Sequence, residues 1–365
     1  MKLQELTLRK VRLPLTRPYE LSYRTFTEFE PLIVEASDTE GRTGWGEGHV
    51  SPGSSSETRD GAWAFCREQA AAIVGMETGE AKALVAANIS ASKVAATALL
   101  TAVEMLEGNQ LLRSDGEVRL PLLTPFNSSA PQQIEAEVEQ RLEEGFRTFK
   151  IKVGKDPDND LLRVNRIQRA IAGRAMMRID ANRAFSEADA RRFAAALDPS
   201  GVELFEQPCP AEDWDANGNV AAVSTVALML DEPISTVSDI ERAASIRNVG
   251  YCKLKRFGSL DLLRHALDKV RDLGMEPVLG DGLSSELGCW MEACVARVTI
   301  RNAGEFNGFL KPKSRLFAVP LTAIGGDLVL PSGFAPTIDA DRLAAHEVAR
   351  ERFAGAPTPA ARRTR

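Results

Sequence analysis

The rhythm of hydrophobic and polar positions changes near residue 119. Before it, Leu3-Gln4-Glu5-Leu6-Thr7-Leu8 alternates with period two, and Pro31–Ala36 is a short, mostly apolar run; both predict strands. Gly41-Arg42-Thr43-Gly44 reads as a turn into Trp45-Gly46-Glu47-Gly48, and the Gly/Pro/Ser-rich stretch 49–56 reads as a loop. Helices are predicted near 57–75 and 91–107, the second alanine-rich and therefore closely packed. After 119, short apolar runs alternate with amphipathic helical segments, the pattern of parallel βα units. The predicted strands are Arg119–Leu123, Thr148–Val153, Met176–Ile179, Val202–Phe205, Ala227–Leu230, Tyr251–Leu254, Glu276–Leu279 and Gly304–Phe309. Between them Ile134, Val138 and Leu142 share one helix face, capped at Gly145. Ser186, with Asp189, opens Glu187–Leu197 as a capping-box variant, and Ser259 starts Leu260–Leu273, which ends at Gly274.

Eight strands with intervening helices predict an α/β fold of the TIM-barrel type. A doubly wound open sheet is the rival, weakened because no G-x-G-x-x-G follows a strand. Residues 318–345 return to strand and turn character, as in Gly326–Pro331. The expected organisation is an α+β domain over 1–118, a barrel over 119–317, a segment over 318–353 that packs back on the first domain, and a Pro/Ala/Arg-rich tail over 354–365 read as frayed.

Length fits this division: 365 residues accommodate a barrel of roughly 200–250 residues and a second unit. At 44% hydrophobic and 26% charged the chain has the composition of a globular protein with a sizeable core. A formal charge of -6 gives no reason to expect nucleic acid or a membrane surface as partner. The first residues alternate like a strand and lack the apolar core of a signal peptide, and no run approaches the roughly 18 apolar residues of a membrane span. The five cysteines are scattered and lack C-x-x-C spacing, which predicts reduced thiols and a cytoplasmic location.

The candidate chemistry begins at Phe149-Lys150-Ile151-Lys152-Val153-Gly154. On a strand Lys150 and Lys152 point the same way. A lone Lys-X-Lys is most often a solvated face; inside a barrel it needs carboxylates opposite. Three successive strands supply them, ending in Asp180, Glu206 and Asp231, 26 and 25 positions apart. One βα unit apart, these residues stand at the same height, at the C-terminal mouth of a barrel. Acidic residues also open βα loops merely because helix N-termini favour negative charge. Three in register with lysine-bearing strands point instead to a cation, and oxygen-only ligation suits Mg²⁺. Tyr251-Cys252-Lys253-Leu254-Lys255 lies four strands beyond Lys150/Lys152 and therefore opposite; Lys253 is taken over Lys255, which falls near the turn. Such a site suits abstraction of a carboxylate's α-proton by a lysine, with the cation stabilising the enediolate. The base must be neutral part of the time, and a neighbouring ammonium and the metal would lower its pKa.

In these motifs the chain resembles the enolase superfamily, in its muconate-lactonizing-enzyme subgroup of muconate cycloisomerases, o-succinylbenzoate synthases, N-acylamino-acid racemases and dipeptide epimerases. Trp45-Gly46-Glu47, Lys150-Ile151-Lys152, Asp180-Ala181-Asn182, Glu206-Gln207-Pro208, Asp231-Glu232-Pro233 and Lys253 carry the resemblance, which spans nearly the whole chain. It implies a modified (β/α)7β-like TIM barrel under an N-terminal capping domain completed by the C-terminal segment. It also implies Asp180, Glu206 and Asp231 as ligands of Mg²⁺ (Mn²⁺ as substitute), Lys152 and Lys253 as the acid/base pair with Lys150 beside them, and a homo-oligomer acting on a small-molecule carboxylate. Substrate selection would fall to the loops near Arg17–Thr27 and His49–Ser56. None of the three histidines (His49, His265, His346) ends a barrel strand, so a histidine base is not expected.

Substrate contacts are expected from Asn182, from His49 in the covering loop, and from Asp281, which either meets a cationic substrate group or hydrogen-bonds a loop. Glu305-Phe306-Asn307 stands where dipeptide epimerases carry Asp-X-Asp, a departure that counts against dipeptide epimerisation. The leading reading is racemisation, epimerisation or β-elimination on an amino-acid-derived or similar carboxylate. A muconate-type cycloisomerase, a Schiff-base barrel aldolase using Lys253 and a non-catalytic barrel are the alternatives.

Overall fold

The computed structural model describes residues 1–21, 24–255, 257–280 and 282–355. The N-terminal domain comprises β1 (Leu3–Val11), β2 (Leu13–Glu20), β3 (Thr25–Phe29), β4 (Leu32–Asp38), β5 (Thr43–Gly48), α1 (Arg59–Ile73), α2 (Thr78–Ala87) and α3 (Lys93–Glu107). The barrel follows β6 (Val118–Pro121) and runs β7 (Thr124–Phe126), α4 (Pro131–Glu143), β8 (Thr148–Lys152), α5 (Pro157–Ile171), β9 (Met176–Asp180), α6 (Glu187–Ala196), β10 (Val202–Glu206) and α7 (Trp214–Val223). It continues through β11 (Leu228–Leu230), α8 (Val237–Ala244), β12 (Val249–Leu254), α9 (Leu260–Asp272), β13 (Glu276–Leu279) and α10 (Glu286–Thr299). The chain ends with β14 (Thr322–Ile324), β15 (Asp327–Leu330), α11 (Ala340–His346) and β16 (Glu347–Ala354).

β7 to β13 form a parallel seven-stranded sheet in chain order, the βα barrel that the alternating pattern predicts. Its two ends depart from expectation. Arg119–Leu123 is not the first barrel strand: β6 pairs antiparallel with β15, and the barrel starts at Thr124. The chain bends between Pro121, which has no N–H to donate, and Pro125, which sits on the edge strand. Gly304–Phe309 is no full strand either. The Gly304 N–H donates to the Pro121 carbonyl, the Leu123 N–H to that of Gly304, and the Glu305 N–H to that of Leu279 (2.9, 3.1 and 2.9 Å), which closes the ring. Beyond this point Phe306 folds its ring over Gly304, where any Cβ would collide with it, and Gly308–Leu310 turns as a short 3₁₀ helix.

The other half of the molecule is a four-stranded antiparallel sheet in the order β16-β1-β4-β5. The C-terminal segment thus completes the first domain, and pairing runs on through Ala354, opposite Glu5, to the Gly355 N–H, which donates to Gln4. The rest of the tail lies outside the described residues. Elements not expected from the pattern are helix α2, the β2–β3 hairpin within the predicted loop region, helix α11 in a stretch read as strand and turn, and strand β16. Backbone hydrogen bonds from Thr16 to Lys311 and from Lys313 to Pro14 tie that hairpin to the chain beyond the barrel. All five cysteines are buried and unpaired, and no helix among the described residues is long and apolar enough to cross a membrane.

Two buried glutamates join the domains, and a third ties α10 to the chain beyond the barrel. Glu47 on β5 accepts hydrogen bonds from Ser285 N–H (2.7 Å), Ser285 Oγ (2.5 Å) and Gly288 N–H (2.9 Å), at the start of α10. Glu104 on α3 accepts from Leu260 N–H (2.6 Å), at the start of α9. Glu286 takes the N–H groups of Leu316, Phe317 and Leu321 (2.7, 2.9 and 2.9 Å). A carboxylate at a helix N-terminus satisfies orphan N–H groups and complements the helix dipole.

The alternation in Thr43-Gly44-Trp45-Gly46-Glu47-Gly48 explains how β5 is seated. Its glycines all face α3, and a Cβ at Gly44, Gly46 or Gly48 would overlap the carbonyl oxygens of Ala102, Ala98 or Val94 in turn. Those residues recur every four positions, one face of the alanine-rich helix, so strand and helix meet backbone to backbone. Gly46→Ala is therefore expected to lower the unfolding free energy by about 2–4 kcal/mol, read by urea denaturation. An unchanged midpoint would mean that β5 is not pressed on α3.

Candidate active site

At the C-terminal mouth of the barrel the strands deliver four lysines, Lys150, Lys152, Lys253 and Lys255, and four carboxylates, Asp180, Glu206, Asp231 and Glu305. Sheet register sets their height: Asp180 lies opposite Lys152 on one side and Glu206 on the other. Lys150 Nζ reaches Asp180 (3.0 Å), Glu206 (2.7 Å) and Glu305 (2.7 Å). Lys253 Nζ reaches Glu206 (2.5 Å), Asp231 (2.6 Å) and Glu305 (3.3 Å). Lys152 pairs with Asp180 and donates to Asn182 Oδ1 (2.5 Å), and Lys255 meets Asp231 at 3.1 Å. Lys150 and Lys152 do share the inward face, as strand alternation requires. The residue that shares Glu206 and Glu305 with Lys253, however, is Lys150 rather than Lys152.

Asp180, Glu206, Asp231, Glu305, Lys150 and Lys253 are all buried, whereas the Lys152 side chain is 31% exposed. Burial alone would push the Lys150 and Lys253 ammoniums toward deprotonation, but the surrounding carboxylates overcome it and raise both pKa values. At Lys150 the neighbouring Lys253 ammonium pulls the other way and is outweighed by Asp180, Glu206 and Glu305. The same pairs act on the acids. Burial opposes ionisation, yet Lys150 and Lys152 hold Asp180 well below the usual carboxylate range. Lys253 with Lys255 brings Asp231 to about 2, and Lys150 with Lys253 brings Glu305 to about 2. Glu206 moves the other way, through burial and the nearby Asp180. Glu232, buried beside Asp231 and paired with Arg183 at 3.2 Å, is pushed up to about 7.

The strand ends turn abruptly. Asn182 (φ 43°), Arg183 (φ 67°) and Gln207 (φ 37°) are left-handed non-glycine residues directly after Asp180 and Glu206, backbone strain of the kind that functional sites retain. The buried Gln207 accepts from the Asp231 N–H at 3.0 Å and so ties two of the strand ends together. Arg183 donates to the Gly53 carbonyl at 2.9 Å, linking this rim to the loop of the first domain.

Among the described residues no group of three ligand-type side chains has already converged around a cation position; the ammoniums of Lys150 and Lys253 bridge the carboxylates instead. The donor set still fits a hard divalent cation. It is oxygen-only, and Glu206 Oε2 and Asp231 Oδ1 are buried without a hydrogen bond, their ion-pair contacts with Lys150 (2.7 Å) and Lys255 (3.1 Å) lying off hydrogen-bond geometry.

A cavity of about 880 Å³ opens from Lys150, Lys152 and Glu305, passes under the β2–β3 hairpin at Tyr19 and Leu21, and runs along Phe126, Arg163 and Lys311. Asn182 and Ser54 border a small adjoining recess. His49 lies elsewhere: it is buried, its ring 5.3 Å from that of Phe29, and its Nε2 accepts from the Glu30 N–H (3.1 Å). Asp281 lies outside the described residues. Sequence reasoning passed over Glu305, Lys255 and the Gln207 link. Glu305 carried one usable signal, an acid on the segment expected to close the barrel.

Residues 133–336 match the family model described as enolase C-terminal domain-like. The chain is 26% identical over 351 residues to the L-Ala-D/L-Glu epimerase of Bacillus subtilis (strain 168), covering 91% of this chain and 95% of that one. It is 26% identical over 358 residues to muconate cycloisomerase 1 of Acinetobacter baylyi, covering 91% and 96% respectively. The fold is that of N-succinyl Arg/Lys racemase from Bacillus cereus, with a TM-score of 0.88, 21% identity and coverage of 97% of this chain and 100% of that one.

Removing Glu305 would leave Lys150 and Lys253 to share three carboxylates. Glu305→Leu is expected to lower the unfolding free energy of the EDTA-treated protein by about 3 kcal/mol, measured with urea. A loss under about 1 kcal/mol would show that the remaining acids balance both lysines unaided.

Proposed function

The chain belongs to the enolase C-terminal domain-like family, and we propose that it is an isomerase or lyase that removes the α-proton of a carboxylate substrate at the barrel mouth. The observation that carries this reading is that Lys152 and Lys253 enter the charge cluster from strands four apart in the sheet, with Asp180, Glu206 and Asp231 on the strands between them. Asp180, Glu206 and Asp231 would hold Mg²⁺, or Mn²⁺ in its place. Bound there, the cation would offset the charge that a substrate carboxylate gains as its α-proton leaves.

The chain's own groups divide the remaining work. Lys152 is the more exposed lysine and lines the cavity, so its Nζ can exchange protons with water and then accept the α-proton. Asn182 Oδ1 holds that Nζ in place, and this is the role we assign it. Lys253 approaches from across the mouth; it returns a proton in racemisation or epimerisation, or balances charge while a β-group departs in elimination. Lys150 contributes fixed positive charge beside both.

The cavity volume of about 880 Å³ suits a substrate larger than a bare amino acid. Glu305 is engaged by two lysines, and Asn307 donates to the Leu123 carbonyl (2.9 Å) and accepts from Lys311 (3.0 Å). With both committed, a substrate whose amino group is acylated or absent fits better than one with a free ammonium. An imine-forming role for Lys253 is disfavoured, since its carboxylate partners hold the amine protonated.

The test is incubation with Mg²⁺ in D₂O with N-acylamino acids, dipeptides, proline derivatives, muconolactone and acid sugars, reading α-proton loss by NMR. Exchange is expected with a member of this set and should vanish in Lys152→Ala, in Asp180→Asn and after EDTA treatment. Exchange that survives EDTA, or borohydride trapping of a keto substrate on Lys253, would overturn the reading.

A further inference from the structure

We propose that Arg163 is a positioning residue for Lys152, an inference that rests on the proton-transfer role just assigned to that lysine. Arg163 stands on the second turn of α5, and its guanidinium reaches back to the barrel mouth. All three of its nitrogens donate to backbone carbonyls: Nε to Ser128 (2.9 Å), Nη1 to Lys152 (3.0 Å) and Nη2 to Phe126 (3.2 Å). It makes no ion pair among the described residues. Asp160 and Glu137 act on it from nearby, but its hydrogen bonds all go to carbonyl dipoles, so the guanidinium is used for its shape: the planar fork has a fixed geometry that a lysine cannot copy.

The carbonyls concerned explain why such a fork is placed here. Phe126 and Lys152 are the last residues of β7 and β8, where the ladder stops. The next residues leave the sheet sharply, since Gly154 has φ 116° and a Cβ there would press on that of Ala184. Among the described residues, the Lys152–Val153 peptide is held by hydrogen bonds at two points. Its N–H donates to the Asp180 carbonyl at 2.9 Å, and its C=O accepts from Arg163. Without the guanidinium the plane could pivot about the first of these, and Lys152 Nζ, at the end of a flexible stem, would sweep away from the reacting proton. Misplacement of a reacting group by about 1 Å costs up to ~100-fold in rate.

Because Arg163 lines the cavity, its role can be removed and resupplied. Arg163→Ala should raise amide hydrogen exchange across residues 150–155 while the C-terminal half of α5 is unchanged, and millimolar guanidinium should reverse the increase. On a substrate that the wild type turns over, kcat should fall about 10–100-fold with KM within about twofold. Guanidinium should restore kcat where equal methylammonium or sodium chloride does not, and Arg163→Lys should lie between. Unaltered exchange in 150–155, a KM effect without a kcat effect, or a loss that guanidinium fails to rescue would each overturn the proposal. If the wild type exchanges no carboxylate α-proton, the functional reading fails by itself, and the amide exchange with its guanidinium reversal still decides whether Arg163 holds the Lys152 peptide.

Discussion

Lys150 can be buried only because Asp180, Glu206 and Glu305 surround it, and the same holds in turn for every charge at the barrel mouth. An isolated ion in such a place costs several kcal/mol, so each ammonium must be met by carboxylates and each carboxylate by ammoniums. The groups come from β8 to β12 and from the segment that closes the ring. Their mutual neutralisation therefore presupposes the whole parallel sheet in correct register. The fold and the candidate chemistry are in this sense one constraint: a slip of a single strand would leave several charges without partners at once.

The cap is fastened to the barrel by the same kind of interaction, used once per contact. In a βα unit the helix begins where the strand ends, so the helix N-termini ring the mouth. Glu47 and Glu104 come from the first domain and accept the free N–H groups at the starts of α10 and α9. The cap is thereby fixed over the open end of the barrel, and the β2–β3 hairpin lies above the charges.

Legibility in the sequence followed the range of each interaction. The carboxylates of Asp180, Glu206 and Asp231 could be read from spacing, because one βα unit repeats at nearly constant length and a strand-end acid needs no partner to be noticed. Lys253 could be chosen over Lys255 from nearness to the turn, and the structure buries the first and leaves the second at the rim. Glu305 was passed over because it was compared with a two-acid motif and not counted as charge. The raised pKa values of Lys150 and Lys253 were not visible in the sequence for a related reason. An i+2 ammonium is visible along the chain, but three acids converging from other strands are not. Gln207 and Arg163 act on backbone groups of distant residues, and nothing in their own surroundings announces it. The β6–β15 pairing escaped for the same reason.

The seam between β5 and α3 has a consequence for how such a molecule can diversify. With no side chain between the Gly46 backbone and that of Ala98, the seam has no rotamers with which to absorb a displacement. The neighbouring Glu47 passes any movement of β5 directly to α10. The ceiling over the barrel is thus set by contacts that admit almost no variation, while the parts that overhang the cavity, around Tyr19, Leu21 and Ser54, are tied down by a few hydrogen bonds, from Thr16 to Lys311, from Lys313 to Pro14 and from Arg183 to Gly53. A rigid mount with replaceable fingers would let one charged floor be fitted to new substrates by exchanging loops, without the floor having to be rebuilt.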